Sequence, residues 1–165
     1  MPENVPELKA LLIEEMQALL HAENQLVKGL PKFAKAAQSP QLRQAFNTHM
    51  EKTRGQVERL QEAFELLGAK ARTRACKGIQ GLIEEGEEAI SRGKDMEPAS
   101  ADLALIIAVQ KIEHYEVSGY GSLRTLAERI GETRVARLLA DTEAEEAQAD
   151  SLLTEISQPL FARAA

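Results

Sequence analysis

The sequence predicts an all-α fold, a four-helix bundle, and three observations carry that expectation. Four long segments place apolar residues at helical spacing. The helix formers Ala, Leu, Glu, Lys, Gln and Arg dominate, with aromatics at only 4% and no tryptophan. No sustained run of alternating β-branched residues reads as a strand. The chain has 165 residues, 44% of them hydrophobic and 28% charged, which suits one ordered domain, residues 1–165, around one sizeable core.

The first helix is expected over residues 4–36, with Leu8, Leu12, Met16, Leu19, Leu26, Leu30 and Phe33 along one stripe. Pro31 lies inside it and cannot donate to Val27, so a kink is expected near Gly29–Pro31. Ser39-Pro40, a cap followed by proline at the first helical position, starts the second helix. It runs through Phe46, Leu60 and Phe64 to Leu67, where Gly68 ends it. A third helix from Ala101 carries Leu103, Ile106, Val109, Ile112, Tyr120 and Leu123, and Gly131 stops it. The fourth runs from Thr133 to Ile156, with Pro159 just beyond.

Short connections make two antiparallel hairpins, residues 4–67 and 101–157. Between them residues 69–100 form a glycine-containing linker whose middle, residues 79–90, can make a short amphipathic helix. A linker this long can travel the length of the bundle and let the second and third helices run parallel. That crossover is the topology of ferritin-like folds. The hairpins also look like copies. His21-Ala22-Glu23 matches His114-Tyr115-Glu116, and the same offset aligns Leu30 with Leu123, Phe33 with Leu126, Leu42 with Val135, Phe46 with Leu139 and Leu60 with Leu153.

Several function classes are excluded or left without support. The net charge is −6 and no dense basic stripe stands out, so no nucleic-acid partner is expected. Arg72, Arg74 and Lys77 read as a solvated loop. The first seven residues do not resemble a secretory signal, and the longest apolar stretch, residues 103–109, is too short to span a bilayer, so no membrane association is expected. The single cysteine, Cys76, cannot form an internal disulfide. It reads as a bystander in a reducing, cytoplasmic setting. There is no Ser-His-Asp order, phosphate-cradling loop or Cys-x-x-Cys pair.

The informative feature is acid on buried stripes, because an ionised carboxylate in a core needs compensating charge. Glu23, Glu113, Glu116, Glu146 and Asp150 fall there, and the second helix contributes His49 and Thr53. The duplication and the crossover put Glu23, Glu116 and Glu146 in one layer, and Glu113, His49 and Asp150 in the next. Two such layers make a cage for two divalent cations. Read singly, any of these acids could instead reach solvent or pair with Lys111, Arg54 or Arg137, and His49 could be a hydrogen-bonded core histidine. Glu143 stands as a further candidate ligand and His114 as a hydrogen-bond partner beside the site. Tyr115 and Tyr120 read as packing residues, and Gly119 and Gly121 as points of close helix contact, including contact across a dimer interface.

At these residues a family resemblance emerges. The run Gln110-Lys111-Ile112-Glu113-His114-Tyr115-Glu116-Val117-Ser118-Gly119-Tyr120-Gly121 resembles the signature of the YciE/YciF family of bacterial ferritin-like stress proteins. His49 with Thr53 and Gln56, the run 56–60, and Leu138-Leu139 with Thr142, Glu145-Glu146 and Asp150 fit as well. The resemblance implies a rubrerythrin-like bundle, a homodimer, and metal held among core glutamates, of which Glu23, Glu113, Glu116 and Glu146 carry over. The Glu-x-x-His pairs of di-iron bundles are missing: Glu51 is followed by Arg54, and Glu146 by Ala149.

The expected function is therefore stress-related binding of divalent metal, iron first and manganese or another ion as alternatives. If the protein is an enzyme, the chemistry expected is ferroxidase or peroxide-reducing. The sequence names no redox partner. A second expectation is a non-catalytic helical interaction module in which the buried acids are structural.

Overall fold

A computed structural model describes residues 4–165 and contains five helices, with no strand among those residues. The N-terminal residues 1–3, part of the segment read as lacking a signal, lie outside the described chain. The helices are α1 (Val5–Ala36), α2 (Pro40–Leu66), α3 (Lys77–Gly93), α4 (Pro98–Arg129) and α5 (Thr133–Ala164).

Local chemistry sets most of the boundaries. The Ser39 side chain accepts from the Leu42 amide at 3.1 Å and caps α2, with Pro40 next in line. Gly68 and Gly131 take positive φ (66° and 82°) just beyond α2 and α4. There the amide of Ala69 bonds the carbonyl of Phe64, and that of Glu132 the carbonyl of Ala127, closing each helix in the same way. The bounds also repeat: Val5 and Pro98, Ala36 and Arg129, and Pro40 and Thr133 stand at the same spacing as His21 and His114. The aligned stripe residues are all buried except Leu126, which is partly buried.

Three helices differ from expectation in their bounds. Helix α4 begins at Pro98 and not at Ala101, and α3 spans Lys77–Gly93, beyond residues 79–90 at both ends. Most distinctly, α5 does not stop at Ile156 but continues through Pro159 to Ala164. Pro159 and Glu155, whose carbonyl the proline leaves without its helical donor, are both exposed residues, while Leu160 is buried in one end of the core beside Leu103 and Leu153. Burying that leucine is worth about 1.5–3 kcal/mol, enough to offset much of a proline's cost of about 3 kcal/mol. Pro31 is likewise exposed inside an unbroken α1, followed by the fully buried Phe33.

The core has two apolar ends. One joins Leu12, Met16, Leu60, Phe64, Leu123 and Leu139; the other joins Phe33, Leu42, Phe46, Ile106, Val109 and Leu153. Helix α3 adds Ile79, buried with Leu26, Leu30 and Ile112. Between these ends, at positions 23, 49–56, 113–116 and 142–146, the buried stripe turns polar. No helix is long and apolar enough to cross a membrane among the described residues.

Candidate metal centre

Four helices deliver donors to this polar belt. One ligand atom each from His49 on α2, Glu113 and Glu116 on α4, and Glu146 on α5 lie within 4.8 Å of one another, and all four residues are buried. The spacing of Glu113 and Glu116 puts both on the inward face of α4. They replace apolar stripe residues between Ile112 and Tyr120, which are themselves buried. His49 is held by its backbone: its carbonyl accepts the Thr53 hydroxyl at 2.9 Å, and that threonine is buried too.

The contacts inside the group are short but unsatisfied. His49 Nε2 lies 2.8 Å from Glu113 Oε1 and 3.6 Å from Glu146. Yet both His49 nitrogens and both oxygens of Glu113, Glu116 and Glu146 lack a partner in hydrogen-bond geometry. The 2.8 Å separation alone makes no hydrogen bond, because the donor must be aimed at the acceptor as well as near it. The pattern is one of donor atoms converging without bonding each other. Buried polar groups are rarely left in that state, and a cation at the centre would satisfy them all.

Electrostatics agree. Burial, followed by the charge of Glu146, lifts Glu23 to about 8, although the Tyr120 hydroxyl opposes the shift. Burial likewise lifts Glu113 to about 7, with the nearby Glu146 carboxyl opposing the shift and the charges of Glu23 and Asp150 adding to it. Glu116 and Glu146 are pushed well above the usual carboxylate range, first by burial and then by their neighbours' charges. Without added positive charge such a group holds protons; with it, the carboxylates ionise.

The six residues expected from sequence do not all enter the group. His49 and Glu113 come from one expected layer and Glu116 and Glu146 from the other, so the layers merge at this group. Glu23 is fully buried beside it, accepts the Tyr120 hydroxyl on Oε1, and keeps Oε2 without a partner. Asp150 stands at the edge, its Oδ2 3.2 Å from His114 Nε2. Glu143 is turned to Arg124 at 2.6 Å. Two of the three cations read as alternative partners for the acids are engaged elsewhere: Arg54 meets Glu51 at 2.6 Å and Lys111 meets Glu85 at 3.9 Å.

Some roles were not visible in the sequence. Tyr120, expected only to pack, also donates to Glu23. Arg59 on α2 bonds Thr142 at 2.7 Å and Glu145 at 2.9 Å, and Gln56 bonds Glu145 at 3.0 Å, tying α2 to α5 beside the centre. Burial raises the Glu145 carboxyl, but Arg59 and Gln56 outweigh it and hold the group below its ordinary value. Gly119 and Gly121 mark close contacts within the chain: a Cβ at Gly119 would meet Leu19 at 3.1 Å, and one at Gly121 would meet Glu143 at 2.8 Å. His21 accepts the Cys76 amide at 3.0 Å, a different task from that of its duplicate His114.

A cavity of about 140 Å³ reaches the centre from the α2–α5 side. Phe46, Val109, Leu152 and Leu153 wall it, His49 and Glu113 lie at its lining, and Lys52 joins them.

Comparison with known proteins places this arrangement among relatives. Residues 7–165 match a family described as a domain of unknown function, DUF892. The chain is 39% identical over 155 residues to Protein YciF of Escherichia coli strain K12, covering 93% of this chain and 92% of that protein. The crystal structure of the E. coli stress protein YciF aligns with a TM-score of 0.89 at 36% identity, over 97% of this chain and 98% of that one. YcfI of Rhodopseudomonas palustris aligns with a TM-score of 0.85 at 32% identity, over 93% and 97%. A Xanthomonas campestris protein, 18% identical with a TM-score of 0.73 over 94% of each chain, shares the fold.

Proposed function

We propose a function from the premise that the chain belongs to the DUF892 family: it binds divalent metal at the centre built by His49, Glu113, Glu116 and Glu146. One observation carries the reading. Four buried donors converge within 4.8 Å, and their lone pairs have no partner in the protein. Three carboxylates and one imidazole suit iron and manganese better than a thiophilic ion. Bound there, the metal would supply Lewis acidity or one-electron redox chemistry.

The finer reading is a ferritin-like four-helix bundle of α1, α2, α4 and α5, with α3 inside a long crossover. Contacts of Arg59 with Glu145, of Gln110 with Thr154, and of Glu23 with Tyr120 fit a bundle in which α2 and α4 run parallel. Glu23, with one orphaned oxygen and a charge that bears on Glu116, is the candidate ligand for a second ion. The residues' own work is then to hold the ions, exclude bulk water, and release protons from Glu23, Glu113, Glu116 and Glu146 as positive charge arrives. We extend the reading to a stress role, by likeness to the E. coli stress protein, and, from the sequence alone, to a cytoplasmic homodimer.

Anaerobic Fe(II) titration of the metal-free chain, with binding read by calorimetry and elemental analysis, tests the metal reading. One or two ions per chain are expected, and Glu116→Ala should lose at least one. Addition of peroxide then tests redox activity through consumption of the oxidant. Uptake that ignores Glu116→Ala would sink the site.

A second reading is favoured by exposed apolar side chains, with Ile107 at 52% and Phe161 at 54% exposure: a helical interaction module with structural acids. It requires that exhaustive chelation leave the melting temperature unchanged, whereas a bound ion stabilises by mass action.

A further inference from the structure

We propose that His114 and Asp150 form the port through which a divalent cation enters, a staging site on the α4–α5 seam outside the buried centre. The proposal rests on the metal reading above and adds how the site is filled. The four central residues are at most 6% exposed, so a hydrated ion cannot reach them in one step. It must shed water gradually, and each water lost has to be replaced by a protein donor, because bare charge in a low-dielectric interior is costly. Such a path needs a ligand standing half outside.

Asp150 has that posture. Its side chain is 24% exposed, and Oδ2 faces outward to His114 Nε2 at 3.2 Å; the His114 side chain is 72% exposed. Its other oxygen, Oδ1, is buried and has no partner. Asp150 lies one helical turn past Glu146 on α5, and His114 directly follows Glu113 on α4. Each outer donor is thus mounted beside an inner one. The Asp150 charge bears on Glu113, in keeping with this placement. Gln110 spans the same seam, donating to the Asp150 carbonyl at 3.3 Å and the Thr154 hydroxyl at 2.8 Å, so the port sits on a closed helix contact.

The other approach suits a cation poorly. The α2–α5 cavity also reaches His49 and Glu113, but its walls are mainly apolar and carry no carboxylate outside the centre, only the neutral Thr48 and Gln148. Lys52 in its lining adds like-charge repulsion. The seam offers an imidazole and a carboxylate, in the order a cation moving inward would meet them.

Stopped-flow mixing of Co(II) with the metal-free full-length chain tests this, with the visible absorbance of the bound ion as the signal. An equilibrium titration of each variant accompanies it. Asp150→Asn should load about tenfold more slowly, the low end of what loss of an outer partner costs a metal site, and reach the native stoichiometry. His114→Gln should also be slowed, while Lys52→Ala should load at the native rate. Native rates in both seam variants overturn the port. So does faster loading in Lys52→Ala, which would route the ion through the cavity. A lowered stoichiometry in Asp150→Asn overturns it too, by making Asp150 a permanent ligand. No Co(II) uptake by the native chain would sink the metal reading and the port with it, whereas native uptake with unslowed variants sinks the port alone.

Discussion

Tyr120 and Asp102 each show a single buried side chain deciding the state of a larger unit. The Tyr120 ring is fully buried and its hydroxyl is the donor to Glu23 Oε1. Removing only that hydroxyl leaves both Glu23 oxygens buried without partners. Tyr120→Phe should therefore destabilise the metal-free protein by about 1–3 kcal/mol in urea unfolding, although the ring still fills its space. Asp102 works at the other end of the core. It is 1% exposed, and its two oxygens accept the amides of Gln38 and Ser39 at 2.7 and 2.8 Å, so a residue of α4 secures the turn between α1 and α2. Asp102→Ala removes both bonds at once and should cost about 1.5–3 kcal/mol, read from the shift in the urea midpoint. Neither role was legible in the sequence. Tyr120 has the spacing of a packing residue, and Asp102 bonds amides more than sixty positions away; periodicity carries no information about such partners. Glu23, Glu113, Glu116, Glu146 and His49 were legible for the opposite reason: they interrupt stripes whose remaining members are apolar.

At the scale of the element, α3 offers two glycines with opposite expectations. A Cβ at Gly86 would stand 2.3 Å from the ring of Phe33, which is fully buried and cannot yield, so Gly86→Ala should destabilise by about 1–3 kcal/mol. A Cβ at Gly81 meets nothing within 4 Å, and its φ is not positive. There the same substitution gains helix propensity and should stabilise by about 0.5–1 kcal/mol. Thermal melts of the two variants check both signs, and equal effects would mean that α3 does not lie against Phe33. The same helix shows where the sequence fell short. The apolar residues of 79–90 revealed an amphipathic helix, whose outer residues Lys77, Gly78, Ser91 and Arg92 are exposed and add no apolar signal, whereas the last turns of α5 depend on burial against other helices. Propensity and a nearby proline argued for earlier stops. Leu160 in the core overrode Pro159, a tertiary effect that no local window contains.

For the molecule as a whole, the consequence of placing an acid cluster between two apolar cores is a stability that depends on pH and on metal in opposite ways. In the metal-free chain burial pushes Glu23 up to about 8 and Glu113 to about 7, each above the ordinary carboxyl value of 4.5, and Glu116 and Glu146 are also held well above it. Between about pH 5 and 8 the folded chain therefore binds more protons than the unfolded chain, and stability falls as pH rises. The contribution is complete below the unfolded value and is lost as pH climbs through the folded ones. Glu145, whose carboxyl is held below 4.5, loses its stabilising effect only at lower pH and does not enter this window. A bound divalent ion reverses the balance, because it competes with those protons and favours the ionised carboxylates. The metal-free protein should melt at least about 4 °C lower at pH 8 than at pH 5, a shift that corresponds to roughly 1–2 kcal/mol for a chain of this length. Saturating Mn(II) should restore the loss, raising the melting temperature more at pH 8 than at pH 5. Replacing Glu116 with Gln removes one titrating carboxyl and one ligand together, so it should shrink both the pH slope and the metal increment. A metal-free melting temperature that rises from pH 5 to pH 8 would mean that the four carboxylates are already neutralised within the protein, and the case for a cation at their centre would lose its physical basis.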